Sequence, residues 1–266
     1  RSYPEERFGP AGVGTVDGKT VEAIASRLLS AERPLLITAY SGRNHAAVPL
    51  LDELAQFAGI RVVEFNPIHV NLPHDSPCHG GFVPTRALAD ADVGLLVDVD
   101  VPWIPKDMPD NPSTWWAHVD VDAEKRGFPM WTFPANLRLQ GDSCRFYADL
   151  LATVKAGADA GFKARAAARV KEMAAEGHAR REQAAKFAAE PGVSGEVNAH
   201  FVCAALAKAL DPSAVIINEA IRNIPTVLAQ MPRSRAGTLV GLAGAGLGYS
   251  GNIALGLKLA MPDRVI

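Results

Sequence analysis

The sequence holds three cysteines, Cys78, Cys144 and Cys203, far apart and odd in number. Neither a disulfide framework nor a Cys-x-x-Cys metal site can be assembled from them. That sparseness suits a reducing cytoplasm, and each thiol is expected to be a small buried hydrophobe or a bystander. Charge of one sign is also lacking: 27 Lys and Arg against 29 Asp and Glu leave a net charge of −2, which gives no basic footprint for nucleic acid. No apolar run approaches the roughly 18 residues that a membrane span requires, so no membrane association is expected. The chain opens at Arg1 without methionine or a signal-like segment. It closes on Val265-Ile266, two β-branched residues after a Pro-Asp-Arg turn, where a strand would begin. It reads as an excerpt from a longer polypeptide. What is present, 48% hydrophobic and 21% charged residues over 266 positions, is the composition of a globular protein of one large or two ordinary domains.

Residues 1–18, with Pro4, Pro10 and four glycines, show no period and read as a linker. Val21, Ile24, Leu28 and Leu29 then mark one face of a helix. From Pro34 short apolar strands alternate with helices: Leu35–Thr38, a helix over 45–58, Arg61–Phe65, a short helix near 85–89, Val93–Val97, Trp115–Asp120 and Leu137–Leu139. Strands buried on both faces and joined by helical crossovers predict an α/β fold with a doubly wound, mostly parallel, Rossmann-like sheet over 19–155. Ligands of such sheets lie beyond the C-terminal ends of the strands, here the loops 40–44, 66–82, 98–110 and 120–124. His69, His74 and His79 lie in the second of these loops, five apart beside prolines. That spacing lacks the tight regularity of zinc ligands, and ordinary loop histidines are the expectation. Residues 156–192, alanine-rich with interleaved Arg, Lys and Glu, read as a helical connector with a solvated charged face. A second α/β unit opens at 193, with a helix over 197–210, a strand Ala214–Glu219 and a helix over 223–230.

The most informative stretch runs from Gly241 to Arg264. Five glycines between Gly241 and Gly251 give way to an apolar, helix-forming run closed by Pro262. Glycine lets backbone approach a bound group closely, and the free amides and dipole of a helix start favour anions. Gly246, Gly248 and Gly251 also fit G-x-G-x-x-G, but the sequence ends before the acidic residue that a dinucleotide site needs roughly 20 residues on could appear, and a Rossmann dehydrogenase would carry this motif oddly near its C-terminus.

Gly-Leu-Gly-Tyr followed by Ala-Leu-Gly-Leu-Lys-Leu-Ala-Met-Pro-Asp-Arg resembles the glycine loop and helix of thiamine diphosphate enzymes of the acetolactate synthase and benzoylformate decarboxylase group. Asn218-Glu219 resembles the Asn-Glu turn of the same group. Arg33-Pro-Leu-Leu-Ile, Ala89-Asp-Ala-Asp-Val-Gly-Leu-Leu-Val, and His118-Val-Asp-Val-Asp with Gly141-Asp142 resemble its central domain. The resemblance implies that 193–266 opens the diphosphate-binding domain. Leu247, between Gly246 and Gly248, would prop the bent cofactor, the Ala245 carbonyl would hold its aminopyrimidine, and Ile221, Arg222 and Asn223 after Asn218-Glu219 would meet its diphosphate. Arg222 departs from the hydroxyl side chains usual there, though a guanidinium suits a diphosphate.

The resemblance further implies a 2-keto acid decarboxylase or carboligase, using thiamine diphosphate with Mg2+ and working as a homodimer or homotetramer. The magnesium motif is expected just after Ile266 and the activating glutamate before Arg1, so this segment by itself is expected to be inactive. Acetolactate synthases also carry a structural flavin in the central domain. Here Asp98-Val-Asp-Val-Pro-Trp103 puts acid where dinucleotide phosphates would approach, so FAD is the weaker expectation and a packed, vacant central domain the stronger. A non-catalytic nucleotide-binding or assembly module of the same fold remains the alternative.

Overall fold

Alternation of side chains along five short strands sets the architecture. In the computed structural model, which describes residues 14–125, 127–128, 133–241 and 246–266, the strands are β1 (Pro34–Thr38), β2 (Arg61–Glu64), β3 (Val93–Val97), β4 (Trp115–Asp120) and β5 (Leu137–Gln140). They form one parallel sheet in the order β2-β1-β3-β4-β5. Successive side chains leave opposite faces of a strand. Leu36, Val62, Leu95, Val97, Ala117 and Val119 therefore enter one core, while Leu35, Ile37, Val63, Leu96 and Trp116 enter a second. Burying each Leu, Ile or Val contributes roughly 1.5–3 kcal/mol.

The two faces are covered differently. The first lies under α1 (Gly18–Ser30), α2 (Ala47–Ala58) and, later in the chain, α4 (Ser143–Gly157), which contribute Ile24, Leu28, Leu51, Leu54, Phe146 and Leu150. Their ends are fixed locally: the Asp17 and Asp142 carboxylates accept from the Thr20 and Arg145 amides at 3.1 and 2.9 Å, as N-caps do. Gly59 closes α2 in the left-handed region at φ 61°. Among the described residues the second face has only the short α3 (Thr85–Asp90), and loops carrying Trp103 and Phe133 add to the cover. The Trp103 and Trp116 rings lie 5.3 Å apart.

The connector is one helix, α5 (Ala160–Phe187). The expected solvated charged face holds for part of it only. Phe162, Ala166, Met173 and Gly177 are buried, and the Arg169 guanidinium donates to the carbonyls of Gly59, Ala31 and Ala58 at 3.0, 3.1 and 2.7 Å. Those carbonyls lie at the C-terminal ends of α1 and α2, where helices leave acceptors unpaired. Half of the buried stripe is Ala and Gly, so hydropathy marks it only weakly.

Beyond a small exposed hairpin of β6 (Gly192–Val193) and β7 (Glu196–Val197), the second unit comprises α6 (Ala199–Ala209), β8 (Ile216–Ile217), α7 (Ile224–Gln230), β9 (Leu239–Val240) and α8 (Tyr249–Ala260). β8 and β9 pair in parallel, and the strand expected over Ala214–Glu219 shortens to two residues. Leu228 and Leu239 pack on Val70 of the first unit, whereas α6 and α8 bury no residue. Among the described residues no helix is long and apolar enough to cross a membrane.

Gly94 in β3 is fixed by close approach: a Cβ there would lie 2.1 Å from the Trp116 ring. Gly94→Ala is expected to destabilise the protein by about 2 kcal/mol or more, read as a lower urea midpoint, whereas Ala substitution of the open Gly18 at the start of α1 should leave it nearly unchanged.

Candidate functional site

Two distant pieces of sequence meet in the second unit. Asn218 and Glu219 follow β8, and the glycine-rich stretch follows β9. The Glu219 carboxylate accepts from the amides of Gly248 and of Ser250, the latter at 2.9 Å, and the Tyr249 hydroxyl donates to the Asn218 carbonyl at 3.0 Å. Asn218 N in turn donates to Val240 O at 2.8 Å. Gly248 needs the left-handed region, at φ 89°. Hydrogen bonds from Ser250 and Gly248 hold the Glu219 carboxyl below its ordinary range. The start of α8 thus holds an anion, as expected of a helix N-terminus, but that anion is the chain's own carboxylate. The helix also begins at Tyr249, ahead of the last glycine of the loop, Gly251, rather than after it.

The other expected site residues divide clearly. Ile221, Arg222 and Asn223 form a single exposed 3₁₀ turn, with Ile221 at an uncommon φ of 22°. Arg222 has no partner among the described residues. Gly246 and Leu247 are exposed, Leu247 to 81%, and a Cβ built on Gly246 or Gly248 would meet nothing within 4 Å. Ala245 lies outside the described residues.

A second locus lies at the strand ends. The chain reverses its direction across the sheet between β1 and β3, the topological switch point where open sheets bind ligands. Here the amides of Ala39 and Tyr40 both donate to Asp98 O at 3.0 Å, which draws the two strand-end loops together. The acids read from the sequence are present, but two groups that it did not single out, Tyr40 and Lys125, engage them. Lys125 Nζ lies 2.8 Å from both Asp100 and Asp120 and 2.6 Å from the Tyr40 hydroxyl. That hydroxyl reaches Asp120 at 2.6 Å and Asp100 at 3.0 Å. Burial, then Asp120, raises the Tyr40 phenol far above its ordinary range, so it stays protonated. Outside this network a cavity of about 470 Å³ is lined by Tyr40, Asn66, Asp100 and Phe128 from the first unit and by Asn218 and Gly241 from the second. The strand ends and the Asn218 turn therefore face one space.

The loop over 66–82 corrects the expectation of ordinary histidines for two of its three. Glu64, the last residue of β2, is fully buried. Its Oε1 accepts from Asn71 N and Nδ2 at 2.8 and 2.9 Å, and its Oε2 faces His79 Nε2 at 2.9 Å and His74 Nε2 at 3.1 Å. Burial alone would raise this carboxyl, but the facing imidazoles outweigh it and keep it below the usual carboxylate range. His69 stays outside the group; burial lowers its pKa.

Asp98 is buried at φ 49° with Arg43 3.2 Å away, and burial pushes its carboxyl up to about 6. An acid whose folded value exceeds its ordinary one, near 4, loses stability as pH rises through the folded value. Asp98→Asn, with a residue that tolerates positive φ, is expected to gain on the order of 1 kcal/mol at neutral pH, the gain vanishing as pH falls toward 4. Urea unfolding at several pH values checks this.

Neither a family model nor a curated protein matches the chain by sequence. Solved structures do match its fold. A protein from Mycobacterium smegmatis described as thiamin diphosphate-dependent superposes with a TM-score of 0.71 at 15% identity, over 96% of this chain and 48% of that one. The thiamine diphosphate-dependent 4-hydroxybenzoylformate decarboxylase of Rhodococcus jostii RHA1 gives 0.69 at 17% identity, over 98% and 48%. Benzoylformate decarboxylase from Polynucleobacter necessarius gives 0.67 at 14%, over 99% and 48%. The chain spans about half the length of these structures, and in that span it has the α/β fold of thiamine diphosphate-dependent enzymes, as its motifs led us to expect.

Proposed function

We propose that the chain supplies a central domain (19–155), a helical connector (156–192) and the opening part of a diphosphate-binding domain (193–266) of a thiamine diphosphate-dependent 2-keto acid decarboxylase or carboligase of the acetolactate synthase kind. The observation that carries this reading is the joint between Glu219 and the amides of Gly248 and Ser250. Two motifs about thirty residues apart, both assigned to one cofactor by resemblance, are hydrogen-bonded to each other.

The residues fit the cofactor. Bare backbone at Gly246 and Gly248 faces open space, and the exposed Leu247 side chain offers an apolar prop for a bent heterocycle. Because Glu219 already takes the amides at the start of α8, the diphosphate falls to the Ile221–Asn223 turn, where the Arg222 guanidinium supplies charge-assisted donors. Glu219 positions the loop that carries Leu247. Thiamine diphosphate, when bound, supplies the electron sink for loss of carbon dioxide from a 2-keto acid, and the protein supplies binding, orientation and exclusion of water. The apolar but unburied helices α6 and α8 need a covering surface, which supports assigning 193–266 to a larger domain within a homodimer or homotetramer. The one metal-like group among the described residues, Glu64 with His74 and His79, belongs to the central domain, so we assign no magnesium ligand here.

A flavin does not fit the switch point. The Ala39 and Tyr40 amides that would meet its phosphates are bonded to Asp98 O, and the cation beside them, Lys125, is held by Asp100 and Asp120. No step of the reaction is assigned to it.

Calorimetric titration of thiamine diphosphate with Mg2+ tests the reading. The 266 residues alone are expected to bind weakly and to turn over no 2-keto acid, while a polypeptide that adds the complementary half should bind. In that polypeptide Arg222→Ala should weaken the cofactor roughly tenfold, the loss of one charge-assisted bond. Turnover by the 266 residues alone, or no binding by the longer polypeptide, would count against the proposal. Retention of a flavin or nicotinamide nucleotide through purification would instead favour a nucleotide-binding module.

A further inference from the structure

The buried group of Glu64, His74 and His79 invites a metal reading, since one atom of each lies within 4.8 Å of the others and a carboxylate with two imidazoles suits zinc. Hydrogen bonding at His74 argues against it. Arg233 N donates to His74 Nδ1 at 3.0 Å. A neutral imidazole has one N–H and one lone pair, so Nε2 carries the proton; it lies 3.1 Å from Glu64 Oε2 without a well-aligned hydrogen bond. A metal-bound histidine shows the reverse arrangement, with the outer nitrogen as the donor.

We propose instead that His74 is an acid-released clasp between the central sheet and the second unit. Inward, the ring meets the carboxylate at the end of β2. Outward, it meets the peptide of Arg233, and the contact is reciprocal, since His74 N donates to Arg233 O at 3.2 Å. Next to it, Ser234 Oγ donates to Asp75 Oδ1 at 2.5 Å. The Arg233 guanidinium then reaches the carbonyls of Pro212 and Ala214 at 2.7 and 2.5 Å, just before β8, and the chain after Arg233 runs into β9. One imidazole thus secures the approach to both strands of the second sheet.

Protonation of His74 acts on the outward bond. The imidazolium is a donor at both nitrogens, so Nε2–H keeps its ionised Glu64 while Nδ1–H opposes the Arg233 N–H. Two buried donors facing each other must separate. The charged and titratable groups around the ring are Glu64 below it, His79 with its ring centroid 4.9 Å away, Asp75 on the same loop, and Arg180 and Arg181 on α5 along the adjoining cavity. Arg180 donates to His79 O. Burial holds His79 toward its neutral form, which leaves Glu64 to pair with the new charge. The closed clasp requires neutral His74 and the opened one does not. Closure therefore weakens as pH falls.

The test needs no reading of the glycine loop. Amide hydrogen-exchange protection factors of Arg233 and of Thr238–Val240 are expected to fall about tenfold or more between roughly pH 7.5 and 5.5 in the full chain, while those of β1 and β3 hold. His74→Asn places an amide oxygen where Nδ1 stands and cannot titrate, so its protection should stay high at both pH values. His74→Phe, without an acceptor, should be unprotected at both. Equal protection of Arg233 at the two pH values in the unmodified chain, or an undiminished acid loss in the Asn variant, would overturn the clasp. So would ring nitrogen shifts that place the neutral His74 proton on Nδ1, a measurement that needs no variant.

Discussion

A carboxylate that no water reaches must be bonded by its own chain, and the fold meets that requirement at Glu64. The residue closes the strand Arg61–Glu64 behind two buried valines and is itself fully buried. An unpartnered charge there would cost several kcal/mol. The loop over 66–82 turns back over the end of β2 and offers Asn71, His74 and His79 to the two oxygens. The course of that long loop follows from three hydrogen bonds and one close imidazole contact to one side chain. It also carries Ile68, whose carbonyl accepts from Gly241 N at 2.8 Å, so the glycine-rich stretch departs from a point fixed by the central sheet.

The strand ends and the second unit therefore form one construction. Tyr40, Asp100 and Lys125 make a self-satisfied polar floor, and Asn218 and Gly241 face the same cavity from the other side. A self-satisfied floor takes no bound phosphate to neutralise it. An exposed loop with bare glycines and an exposed guanidinium, by contrast, leaves its polar groups open to a ligand. The chemistry we propose accordingly belongs to the second unit, with the first acting as its support.

Much of this was legible in the sequence because it rests on period and short-range chemistry. The strand positions follow from short apolar runs, and the parallel order from the helices between them. The Asn-Glu turn and the glycine loop were each recognisable, though their contact was not, since nothing local announces that Glu219 will cap α8. Tyr40 and Lys125 were invisible for the same reason: a lysine buried between two aspartates 5 and 25 residues away has no pattern of its own. Glu64 did leave a signal, a lone acid ending a buried strand, while the spacing of the histidines pointed away from the joint use made of two of them. The buried stripe of α5, Phe162, Ala166, Met173 and Gly177, is too sparse among charged residues to give a strong hydropathy contrast, and Arg169 adds to it by what it holds.

That arginine has a consequence for how the chain tolerates change. At 28 residues α5 is roughly 40 Å long, and Arg169 ties its first half to the ends of α1 and α2. A lengthened connection just before Ala160 would have to drag those three carbonyls with it. The exposed hairpin of Gly192–Val197 has no such tie to the core, and its two glycines already adopt positive φ. Inserted sequence, a fused partner or a protease would find the chain permissive there, more than thirty residues from the start of the connector helix.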